Sequence, residues 1–128
     1  MNPKLKHIYL AFEGKLVGNT QMKSYVCEAV ALLPLDTIDF VTKNCWFISS
    51  MPDAYAFAFT GNDIKDQHLI FLSDELFLQD ESQIHYSVAH EIGHVILGHR
   101  NSVLVVQSKE EVRQQEREAD EFAKKYIH

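Results

Sequence analysis

The chain has 128 residues, 46% apolar and 23% charged, with a formal net charge of −6. That length supports one domain with one modest core, and no low-complexity tract or internal repeat interrupts it. An acidic balance without a basic stripe argues against a nucleic-acid-binding surface, and no apolar run reaches the roughly 20 residues that a membrane span needs.

Near the start, Lys4 and Lys6 precede the apolar run Ile8-Tyr9-Leu10-Ala11-Phe12, in the order of an export signal. The run is too short and is closed by Glu13 and Lys15, so the expected location is the cytoplasm. There Cys27 and Cys45, which fit no C-x-x-C spacing, are expected as reduced thiols, Cys27 packed in a helix and Cys45 at a strand start. From Thr20 to Leu33 the apolar residues Met22, Val26, Ala29, Val30 and Leu33 recur at helical spacing, and Pro34 closes the helix. Three short β-type runs follow, Cys45 to Ser49, Ala54 to Phe59 and His68 to Leu72, separated by Met51-Pro52-Asp53 and by a turn beginning at Gly61-Asn62-Asp63. The middle run alternates: Tyr55, Phe57 and Phe59 are expected in the core. Ala54, Ala56 and Ala58 make a small face against which a helix or an extended peptide could lie.

A helix should start near Asp80 to Ser82 and carry His90-Glu91-Ile92-Gly93-His94, an H-E-x-x-H pattern. On a helix, two histidines four residues apart stand one above the other and can grip one metal ion. Glu91, rotated about 100° from His90, lies beside that metal, where it can take a proton from an acidified water. The pattern is short enough to arise by chance, so its context decides. Measured from His90, His94 and Tyr86 each lie about 40° away, while Ile84, Val88, Ile92, Val95 and Ile96 cluster between about 120° and 240°. One face is therefore suited to the core and the other to chemistry. Gly98 reads as the C-terminal cap. Asn101 to Gln107 is a loop or short strand, and Ser108 with Glu111 forms a capping box for a last helix running to about Tyr126.

A catalytic zinc takes three protein ligands and leaves a position for water, and H-E-x-x-H supplies two of the three. His99 invites comparison with H-E-x-x-H-x-x-G-x-x-H, but Leu97 and Arg100 stand where that pattern needs glycine and histidine. His99 is then a surface residue or a neighbour of the ligands before it is a ligand itself. The last helix offers Glu116. Val112, Ala119, Asp120, Ala123 and Ile127 all fall within about 60° of it, which places a carboxylate in an apolar stripe. A glutamate there is costly unless it is paired or bound to metal. Pairing with Arg113 or Arg117 at a half-exposed edge is the plain alternative. Asp120, one turn on, can accept a hydrogen bond from a ligand histidine.

His90-Glu91-Ile92-Gly93-His94, Leu97-Gly98-His99 and Glu116-Arg117-Glu118-Ala119-Asp120-Glu121-Phe122-Ala123 together resemble the ImmA/IrrE family of metallopeptidases, small gluzincins whose second motif is E-x-x-A-(N/D)-x-F-A. The resemblance covers the C-terminal third best and says little about the first 40 residues. Together with the length, which makes residues 1–128 one domain, it implies an α+β, minimal zincin-like fold, with a small, mostly antiparallel sheet packed on an active-site helix and a C-terminal ligand helix. It also implies one Zn2+ per chain held by His90, His94 and Glu116, with Glu91 as general base and acid and Asp120 behind the ligands. Tyr86 and His99 are candidate oxyanion donors. Members of that family encoded by phages and mobile elements cleave helix-turn-helix repressors. The expected partner is thus a protein substrate, such as a DNA-binding repressor on a separate chain, without direct nucleic-acid or membrane binding. Three other readings stay open. They are a catalytically silent zinc module that docks a regulatory protein, a closed structural site completed by His99, and a chance motif on an ordinary α+β domain.

Overall fold

The computed structural model describes residues 2–49, 67–98 and 108–127. Helix α1 (Pro3–Ala11) begins where the Asn2 side chain accepts a hydrogen bond from the Leu5 amide at 2.8 Å, with Pro3 in the first turn. Its inner positions, Ile8 and the capping Phe12, are buried. The stretch with the flavour of an export signal is thus an amphipathic helix. After the short strand β1 (Leu16–Val17), Asn19 caps α2 (Thr20–Ala31) through the Met22 amide at 2.9 Å. The helix ends two residues before the expected Leu33, and Pro34 does more than stop it. Pro34 is the N-cap of α3 (Leu35–Asn44), a helix not expected from the sequence. Only Ile38, Val41 and Thr42 of α3 are buried, so its apolar stripe is too thin to stand out.

Strands β2 (Cys45–Ser49) and β3 (His68–Leu72) form where the β-type runs were expected. The sheet order is β1-β2-β3, and both pairings are parallel, with Leu16 opposite Phe47, and Cys45 to Ser49 opposite His68 to Leu72. The expected, mostly antiparallel sheet is therefore corrected. The reason lies in the connections. The chain leaves β1, runs through α2 and α3, and returns to the same end of the sheet, as a crossover between parallel strands must. The run Ala54 to Phe59, expected as a strand, lies outside the described residues together with the turns on either side of it.

β2 is nearly continuously buried, as a central parallel strand should be, whereas β3 alternates between buried Ile70 and Leu72 and exposed His68 and Phe71. Phe12 and Phe47 meet edge to face with centroids 5.8 Å apart in the core. After β3, a 3₁₀ turn (Asp74–Leu78) leads to α4 (Glu81–Ile96), the helix of the H-E-x-x-H pattern. Ile84, Val88 and Ile92 are fully buried on its inner side, and Val95 and Ile96 pack against the same core. Burying the three is worth about 1.5–3 kcal/mol each, enough to fix which face of α4 turns outward. Helix α5 (Lys109–Tyr126) starts at Ser108, whose hydroxyl accepts from the Glu111 amide at 3.1 Å, as the capping box requires. Among the described residues no helix is long and apolar enough to cross a membrane. Cys27 and Cys45 are free and buried, and burial pushes their thiols up to about 11 and about 12.

Candidate metal centre

Helices α4 and α5 cross where their side chains are small. Ala89, Ala119 and Ala123 are completely buried there, and Gly93 faces Phe122. A Cβ on Gly93 would lie 3.1 Å from the Phe122 ring, closer than ordinary van der Waals contact. The glycine thus permits a close approach that carries the acidic positions of α5 up to the histidines of α4. Gly98, with a φ of 71°, then ends α4 in the left-handed conformation expected of the capping glycine.

The consequence is a compact cluster. His90 Nε2 lies 2.9 Å from Glu116 Oε2, His94 Nε2 lies 3.1 Å from Glu116 Oε1, and the two Nε2 atoms are 3.2 Å apart. The histidine side chains are about 15% exposed, while Glu116 is 53% exposed at the mouth of the site. Glu116 is thus less buried than its place in an apolar stripe suggested. Ala119, Ala123 and Ile127 are buried as expected, but Val112 is exposed and the stripe opens toward the N-terminus of α5. The plain alternative, a glutamate paired with a neighbouring arginine, is not what forms. Arg117 donates to Gln114 at 2.6 Å, and Glu116 turns to the histidines.

Asp120 lies behind His90, its Oδ1 2.9 Å from Nδ1, and the Tyr86 hydroxyl donates to the same oxygen at 2.7 Å. The Tyr86 hydrogen bond holds the Asp120 carboxyl below its usual value, partial burial opposing it and His90 adding to it. Burial first, and then the Asp120 hydrogen bond and charge, raises Tyr86 to about 12. At neutral pH, therefore, Asp120 is an acceptor and Tyr86 a donor. An ionised Asp120 can only accept, so a neutral His90 paired with it carries its proton on Nδ1 and presents the lone pair of Nε2 to Glu116 and His94. In that tautomer the imidazole and carboxylate lone pairs face one another across about 3 Å. A cation reconciles such a group. Zinc with bonds of about 2.0–2.1 Å sets its ligand atoms roughly 3.3 Å apart, close to the triangle found here. His90, His94 and Glu116 therefore fit a metal ion as they stand.

Glu91 follows His90 on α4, partly buried and about 100° round the helix. Tyr86, considered for an oxyanion, donates its hydroxyl hydrogen bond to Asp120, a contact across 34 positions that no local pattern announces. His99 lies outside the described residues.

A model of the peptidase U49 family matches residues 47–128, from within β2 through both helices of the cluster. This chain belongs to the peptidase U49 family. No curated protein and no solved structure matches it. The match takes in every residue of the cluster and leaves out α1, β1, α2 and α3, so the peptidase assignment rests on the part that carries the site.

Proposed function

We propose that this peptidase is a zinc-dependent endopeptidase of the gluzincin type, with His90, His94 and Glu116 as ligands and Glu91 as general base and acid. The observation that carries the reading is the hydrogen bond that Asp120 accepts from His90 Nδ1, with three ligand groups converging at 2.9–3.2 Å on the other side of the ring. Zinc in such a site would polarise the scissile carbonyl and make water acidic enough to attack it near neutral pH. Glu91 takes the attacking water's proton and delivers it to the leaving amine nitrogen. Asp120 holds the proton on His90 Nδ1, and Tyr86 holds Asp120. Tyr86 serves here as a positioning residue through Asp120, and Tyr86 and His99 are the two candidate donors to the oxyanion.

The resemblance to the ImmA/IrrE family supports a narrower reading, in which the substrate is a helix-turn-helix repressor on a separate chain in the cytoplasm. Two buried free thiols suit a reducing compartment. The test joins metal analysis to a cleavage assay with helix-turn-helix repressors and unfolded casein as probes. Zinc in the wild type, and cleavage lost in Glu91→Gln, are expected. Zinc without cleavage of any probe would favour the docking module instead, and unchanged cleavage in Glu91→Gln would refute the assignment of the base.

A further inference from the structure

Helix α4 carries a second pair of metal-ligating residues one turn apart, on another side from the first. Glu81 and His85 stand at i and i+4, the spacing that joins His90 to His94. A carboxylate of a second helix meets them, as Glu116 meets the other pair. His85 Nε2 lies 3.1 Å from Glu28 Oε2 of α2 and 3.9 Å from Glu81 Oε1, and the three ligand atoms all lie within 4.8 Å of one another. The His85 side chain is 14% exposed, and its ring stands edge-on to Tyr25 with centroids 6.3 Å apart, so its direction is fixed by packing.

We propose that Glu28, Glu81 and His85 form a second divalent-cation site that clamps α2 to the N-terminal half of α4. One imidazole nitrogen faces two carboxylates, and its single proton can serve only one of them well. A divalent cation answers both carboxylates and accepts the imidazole lone pair. The Glu28 edge, 3.1 Å, is near the roughly 3.3 Å that a tetrahedral set needs, and the Glu81 edge, 3.9 Å, exceeds it by about 0.6 Å. Glu81 is 63% exposed and free to close that gap. One imidazole and two carboxylates suit Zn2+ or Mn2+ better than Mg2+ or Ca2+, which prefer oxygen alone. Five residues separate His85 from His90, about 7.5 Å along the axis and about 140° around it. The two ions of a two-metal catalytic centre stand only about 3.5–4 Å apart, so the role here is to brace the active-site helix.

The proposal does not rest on the function assigned to His90, His94 and Glu116, and the experiment keeps the two apart. Zn2+ and Mn2+ binding to the full chain is measured by equilibrium dialysis, with the melting temperature followed at each added equivalent. The double variant His94→Ala/Glu116→Ala should keep one equivalent that raises its melting temperature. Glu81→Gln and His85→Gln should each weaken that equivalent at least tenfold and abolish the rise. Glu81 is exposed, so its variant folds as the wild type does, and circular dichroism checks this. No metal retained by the double variant, or retention unchanged by Glu81→Gln, overturns the site. One ion in the wild type, lost in Glu81→Gln but kept in the double variant, would support this site while refuting the other.

Discussion

His90 and Asp120 meet at 2.9 Å across the crossing of α4 and α5, through the imidazole nitrogen that faces away from Glu116. That contact decides where the histidine proton sits, and so whether the lone pair of Nε2 is available to a metal. Asp120 is 43% exposed, so removing its charge should leave the fold intact. Metal affinity is another matter, because partners that orient a ligand histidine are typically worth 10–100-fold in affinity. Asp120→Ala should lose about that much zinc affinity in a competition titration. Asp120→Asn should lose less, since its carbonyl can still accept from Nδ1–H.

Glu91→Gln keeps the shape of α4 and both histidines while removing the proton acceptor. Hydrolysis should fall by about 10²–10⁴-fold, the usual contribution of a general base, with zinc content unchanged. Steady-state cleavage beside metal analysis of the same preparation separates this from loss of the metal.

Tyr86, raised to about 12, keeps its proton well past the ordinary tyrosine value near 10. A folded-state value above the unfolded one means stability fully present below about pH 10 and lost as pH rises toward 12. Asp120 runs the other way. Its lowered value contributes stability above the ordinary carboxyl range and loses it as pH falls through the folded value. Ultraviolet titration should find a tyrosine ionising near pH 12, and Tyr86→Phe should remove that transition. The variant should also bind zinc more weakly on the acid side, because Asp120 then protonates at a higher pH.

At Gly93 two effects compete. Alanine gains roughly 0.8–1 kcal/mol of helix propensity over glycine. Its Cβ, 3.1 Å from the Phe122 ring, brings an overpacking cost of about 1–3 kcal/mol. Overpacking should win, so Gly93→Ala is expected to be less stable in urea and to bind zinc more weakly as α5 is pushed from α4. Adding Phe122→Leu should restore part of both losses, which a purely local effect of the alanine would not allow.

The parts of the site that were legible in the sequence are those that helical phase determines alone. Four-residue spacing stacks His90 on His94, and the apolar positions Ile84, Val88 and Ile92 say which way α4 must turn. The same phase puts Glu116 and Asp120 on one side of α5. What it cannot give is the distance between the helices, which depends on Gly93 fitting against Phe122. Nor can it give the Tyr86 hydroxyl landing on Asp120. Strand direction was misread for a related reason: apolar alternation marks a strand but carries no sign, and the sign comes from the crossover through α2 and α3. Helix α3 escaped notice because Pro34 looked like an end and was also a beginning. The pair Glu81 and His85 had the right spacing in plain view, but Glu28, which completes it, comes from 53 residues before Glu81.

The most direct test is to crystallise the protein with zinc and record anomalous diffraction on both sides of the zinc absorption edge. A peak is expected within bonding distance of His90 Nε2, His94 Nε2 and the Glu116 carboxylate, with Asp120 still on His90 Nδ1. A zinc-saturated crystal with no peak among those three residues, or with His90 turned so that Nδ1 is the ligand, would contradict that expectation.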